Sequence, residues 1–142
     1  MNFLAFAFVG LLLIDTSAIN PAAFVGTYRG SLWSGDGDSP SITTLKIGAD
    51  LVLSGEYSFI EQTGQTTSGS LDACQIEMRV LICQWHDRYG TGVLKMEFDP
   101  SLCTFQGQWT TANLVSTGWS YWNGSKGCTP VANAGGSLLQ RS

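Results

Sequence analysis

Across 142 residues the formal net charge is −4, only 13% of residues are charged, and no run of Lys or Arg occurs. This excludes a nucleic-acid partner, whose backbone needs clustered cations. With 17 glycines, 5 tryptophans and few charges, the composition suits a β domain better than a helical one.

The chain opens with an apolar run from Phe3 to Ile14, followed by small residues up to Ala18. This is the pattern of a secretory leader, although no Lys or Arg precedes the apolar run. The run is shorter than the roughly 20 residues a membrane span requires. Residues 1–18 are therefore expected to be a signal peptide cleaved after Ala18, with Ser17 as the competing site and a retained anchor as the alternative. The mature protein is expected to be secreted and extracellular, without membrane contact. Its length suffices for one domain, 24–128, and is too short for two. Residues 129–142 lack periodicity, contain Gly135-Gly136, and are expected to form a flexible C-terminal tail.

Asn20 to Ala23 leads into a first strand, Phe24 to Trp33, in which Gly26 and Gly30 mark bends. Ser34 to Pro40 is a loop by composition, Ile42 to Ile47 a second strand, and Gly48-Ala49-Asp50 a tight turn. Leu51 to Ile60 comes next, with Leu51, Leu53, Tyr57 and Phe59 sharing one face and Ser54, Glu56 and Ser58 the other. Thr67 to Cys74 is a fourth strand after a polar turn. Ile76 to Trp85 is a fifth, apolar on both faces: Leu81, Cys83 and Trp85 have one parity, Met78, Val80 and Ile82 the other. Val93 to Phe98, Cys103 to Trp109 and Gly118 to Gly124 complete the set.

Period-two alternation between short turns, with no sustained helical period, predicts an all-β, single-domain antiparallel up-and-down meander of about eight strands. Closure into a small barrel would leave no exposed edge, and such a barrel holds packed side chains or one small ligand. A two-sheet sandwich is the alternative.

The four cysteines, Cys74, Cys83, Cys103 and Cys128, lie behind the leader and allow three disulfide connectivities. No C-x-x-C pair exists and there is one His, so no zinc site is expected. A hairpin turning between Met78 and Arg79 places Cys74 opposite Cys83. Cys103 would then pair with Cys128, fastening the end of the last strand to the strand before it.

Five short motifs recur in order: Gly26-Thr27-Tyr28-Arg29-Gly30, Leu53-Ser54-Gly55-Glu56-Tyr57, Gly90-Thr91-Gly92-Val93-Leu94, Phe105-Gln106-Gly107-Gln108-Trp109 and Gly118-Trp119-Ser120-Tyr121-Trp122-Asn123-Gly124. Together they resemble a broad group of secreted, calycin-like β-meander domains with repeated Gly-x-aromatic motifs. The resemblance covers Phe24 to Lys126 and implies a fold rather than an activity. In physical terms, Gly lets a strand bend sharply and the aromatic two residues later fills the same face. A weaker resemblance, to avidin-like barrels, rests on Leu45 to Tyr57 and on Cys103 to Trp109. The polar Trp-x-Asn-x-x-Gly-Ser pattern of those barrels is missing near Trp33, so biotin binding is not implied.

Among candidate sites, Tyr28, Trp33, Tyr57, Trp85, Trp109 and Trp119 are aromatics that would line an apolar pocket, stack on sugars from the surface, or simply form the core. Trp119 and Trp122 have opposite parity, so at most one of them faces inward. His86 beside Asp87 has the residue types of an acid–base pair, but neighbours on a strand point to opposite faces and no catalytic motif accompanies them. Asp36 and Asp38 offer oxygens to calcium, yet no EF-hand pattern is present and a solvated turn is the simpler reading. Asn123-Gly124-Ser125 fits the N-glycosylation pattern on an expected exposed loop. The function expected is a non-enzymatic, cofactor-free barrel binding a small apolar ligand in an aromatic-lined interior. A carbohydrate- or protein-binding module with a filled core is the alternative, and the oligomeric state is open.

Overall fold

A computed structural model describes residues 19–112 and 118–128; the expected signal peptide (1–18) and tail (129–142) lie outside the described residues. The strands are β1 (Gly26–Trp33), β2 (Asp38–Ile47), β3 (Leu53–Ile60), β4 (Thr66–Glu77), β5 (Val80–Asp87), β6 (Gly90–Phe98), β7 (Thr104–Thr111) and β8 (Ser120–Ser125). Each pairs antiparallel with its sequence neighbours, and β8 closes the ring on β1. Trp122 stands opposite Leu32 on one side and Gly107 on the other, so no sheet edge is left free and the sandwich does not form.

Alternation decides what is inside. Tyr28 and Leu32, Leu53, Tyr57 and Phe59, Leu81, Cys83 and Trp85, and Leu94, Met96 and Phe98 are all buried, at spacings that are multiples of two. Phe105 and Trp122 join this core, as do Phe24, Leu45, Leu71 and Leu102.

Several strand ends differ from the pattern read in the sequence. Phe24 belongs to a 3-10 helix, Pro21–Phe24, whose Asn20 cap accepts a hydrogen bond from the Ala22 amide at 3.0 Å. The helix folds Phe24 under the barrel as a buried plug. Asp38-Ser39-Pro40 is strand rather than loop, because it pairs with Trp33, Leu32 and Ser31. Leu51 leaves the buried face of its strand: it sits in the turn at φ 65° and is 67% exposed. Ile76 lies near the end of β4 instead of starting β5, and Met78 occupies the hairpin tip at φ 57°, 73% exposed. The outward apolar face of β5 is thus only Val80 and Ile82, both partly exposed.

Both disulfides join the expected partners. Cys74–Cys83 spans the β4–β5 hairpin beside a bulge where Ala73 adopts φ 51°. Cys103–Cys128 ties the residue before β7 to the segment after β8.

Candidate functional site

At one end the barrel is filled. Phe24 meets Phe98 edge-on at 5.0 Å, and Tyr28 meets Phe98 and Phe105 at 5.6 and 5.5 Å. Leu102 is buried with them. The Tyr28 hydroxyl donates to the Phe24 carbonyl at 2.7 Å, with the Leu102 carbonyl at 3.3 Å. Burial, and secondarily the charge of Asp99, push this phenol well above its ordinary range, so it stays a donor.

Among the described residues, the other end is hollow. A cavity of about 290 Å³ opens there, walled by Leu32, Tyr57, Phe59, Trp85, Trp109 and Trp122 and rimmed by Ser34, Asp36, Glu61, Asp87, Tyr89 and Thr111. Trp85 meets Trp109 at 5.6 Å with planes at 89°, and Tyr57 meets Trp122 at 4.7 Å and 68°. Two glycines make room for these rings. A Cβ on Gly92 would stand 2.7 Å from Trp85 Nε1, and one on Gly69 would stand 2.3 Å from Tyr57 Cζ.

Each indole is anchored to the wall. Trp85 Nε1 donates to the Thr110 carbonyl at 3.1 Å, Trp109 Nε1 to the Trp33 carbonyl at 2.9 Å, and Trp122 Nε1 to Thr43 Oγ1 at 2.9 Å. At the rim, Tyr57 donates to Asp87 Oδ2 at 2.7 Å, and the Tyr89 amide to Asp87 Oδ1 at 2.8 Å. Burial first, then Asp87, raise the Tyr57 phenol far above its ordinary range. Glu61 accepts from the Thr67 hydroxyl, from Tyr89 at 2.6 Å and from Arg88 at 3.0 Å. Those bonds, that from Thr67 foremost, hold the Glu61 carboxyl below its ordinary range and keep it ionised. Thr111 Oγ1 is buried and has no partner among the described residues.

Of the six aromatics proposed from sequence, the cavity gathers Tyr57, Trp85 and Trp109. Tyr28 is not among them, because it packs into the filled end. Trp33 lies outside: its neighbour Leu32 takes the inward position, and its ring lies 39% exposed beside Tyr121 at 6.3 Å. Trp119 is also outside, at 41% exposure, since the parity choice falls to Trp122.

No polar rim residue is among the six aromatics, and the sequence offers Asp36 and Asp87 only for other roles, yet a simple rule reaches the rim. Alternation continues one or two steps past the last wall residue of each strand, from Leu32 to Ser34 and Asp36, from Phe59 to Glu61, from Trp85 to Asp87 and Tyr89, and from Trp109 to Thr111. Every one of these positions shares the parity of the aromatic or leucine before it.

The remaining candidates fall elsewhere. His86 points out of the barrel and pairs with Asp72, Nε2 to Oδ1 at 2.8 Å, not with Asp87. Asp38 accepts from the Tyr121 hydroxyl on the outer face, while Asp36 joins the cavity rim. No group of three His, Cys, Asp or Glu side chains able to hold a metal occurs among the described residues. Asn123 sits within β8 rather than on a loop. It lies between Ser31 and Gln106, partly buried, with Oδ1 accepting from the Gly107 amide at 3.3 Å.

No protein-family model, curated protein or solved structure matches this chain.

Proposed function

We propose that this is a secreted, non-enzymatic binding barrel whose upper cavity takes one small, partly apolar ligand. The observation that carries this reading is the half-hollow interior: about 290 Å³ enclosed by six apolar or aromatic side chains, with polar groups only at the mouth. Two disulfides are in keeping with an oxidising compartment. The indoles report directly on the cavity, because Trp85, Trp109 and Trp122 all face it. A small neutral aromatic such as 2-phenylethanol is expected to shift tryptophan emission and raise Tm. Thr111→Phe, which fills the mouth, is expected to abolish both responses. Binding that survives Thr111→Phe would move the site elsewhere.

A second reading has one observation in its favour. Trp33 and Tyr121 form an aromatic pair on the outer face, with Trp33 exposed and suited to stacking on a sugar ring. Titration with soluble oligosaccharides separates the two, since this response would vanish in Trp33→Ala and persist in Thr111→Phe.

A further inference from the structure

The geometry points to a particular ligand class: the upper cavity takes a small organic cation, an amine carried on an aromatic or branched apolar body. This deepens the cavity reading and rests on it.

The walls present π faces and almost no free protons. All three indole N–H groups that line the cavity are committed to Thr110, Trp33 and Thr43. The two phenols are committed as well, Tyr57 to Asp87 and Tyr89 to Glu61. A hydroxyl carries one proton, so each phenol oxygen has only lone pairs left for a ligand. The Asp36, Glu61 and Asp87 carboxylates supply acceptors to the mouth. The Ser34 hydroxyl is engaged with Ser39 at 2.7 Å. That leaves Thr111 Oγ1, which has no partner among the described residues but is itself buried out of a ligand's reach.

The rim is thus rich in acceptors and poor in donors. A carboxylate or phosphate ligand would meet like charge and find few protons. A neutral apolar ligand would draw water from the carboxylates without offsetting their charge, which is costly. An ammonium group brings up to three donors and the complementary charge, and indole faces attract cations. The nearest protein cation does not fill this role. Arg88 is spent on Glu61 at 3.0 Å, Gln65 at 3.2 Å and Tyr89 at 2.7 Å, and lies over the Tyr89 ring at 4.7 Å. It offsets Glu61; among the described residues no cation pairs with Asp36 or Asp87, and the Asp87 oxygens accept from Tyr57 and the Tyr89 amide.

The test uses three probes that share a phenyl body and differ in head-group charge: phenethylamine, 2-phenylethanol and 3-phenylpropionate. Calorimetric titration near neutral pH is expected to show the amine binding at least tenfold tighter than the alcohol, and the carboxylate not measurably. Asp36→Asn and Asp87→Asn are each expected to lower the ratio of amine to alcohol affinity several-fold. An alcohol that equals the amine, or a ratio indifferent to both substitutions, overturns the cation assignment and leaves the cavity reading standing. Failure of all three probes to bind at millimolar concentration overturns the cavity reading, and the cation assignment with it.

Discussion

At the filled end, four aromatic rings meet with centroids 5.0–5.6 Å apart; at the hollow end, Trp85 with Trp109 and Tyr57 with Trp122 stand 5.6 and 4.7 Å apart. Aromatic content and ring spacing are therefore much the same at the two ends. What differs is the covering. Below, a 3-10 helix and the turn before β7 press Phe24 and Leu102 into the barrel. Above, the residues that leave the strands toward the axis are Ser34, Asp36, Glu61, Asp87 and Thr111, which ring the mouth instead of filling the centre. Among the described residues, the two ends thus differ in what covers them rather than in the number of large side chains.

The strongest way to break this comparison is to delete a ring at each end. Phe105→Ala removes a fully buried ring and is expected to cost about 3–5 kcal/mol. Phe59→Ala removes a ring that already borders empty space, and about 2 kcal/mol is expected, because fewer contacts are lost. Equal losses in urea unfolding would mean that the two ends are packed alike. Next in size is the staple at the filled end. Cys103→Ser with Cys128→Ser opens a loop with a sequence separation of 25, and about 3 kcal/mol is expected to be lost on the chain-entropy account. The amine affinity of the far end should stay within about twofold of wild type, measured by the same calorimetry, since additivity holds for distant sites.

A third effect probes both ends through one kind of group. Tyr28 and Tyr57 both hold their protons in the folded state well above the ordinary phenol range of about 10. In the unfolded chain they ionise at the ordinary value, so the stability they contribute is full below pH about 10 and is lost as pH rises beyond it. Each is expected to contribute up to about 1.4 kcal/mol of loss per pH unit there. Tyr28→Phe and Tyr57→Phe should each flatten the alkaline limb of the stability curve. An unchanged limb in either variant would mean that its phenol ionises as freely folded as unfolded.

The barrel itself was legible in the sequence because strand alternation is a local signal, and the turn at Met78-Arg79 carried the Cys74–Cys83 pairing with it. The choice between Trp119 and Trp122 was not legible. Parity says that they differ, and only the pairing of Trp122 with Leu32 and Gly107 says which one enters. Trp33 is a different case, since it stands at odd spacing from Tyr28 and both could not face inward. Asp87 and Glu61 were hidden by position: they lie at or beyond strand ends, where composition reads as turn although alternation continues. The bulge at Ala73 and the plug at Phe24 depend on tertiary contacts that no local pattern carries.

Thr111 has the smallest expected effect and the sharpest meaning. Its hydroxyl is buried and without a partner among the described residues, an arrangement that costs stability. Thr111→Val keeps the shape and removes the polar atom. The empty protein is then expected to gain about 1 kcal/mol, seen as a higher Tm. A matching substitution at the filled end, Tyr28→Phe, has the opposite sign below pH about 10, because that hydroxyl already bonds to Phe24. A Thr111→Val protein that is less stable than wild type would show that the hydroxyl is satisfied within the fold.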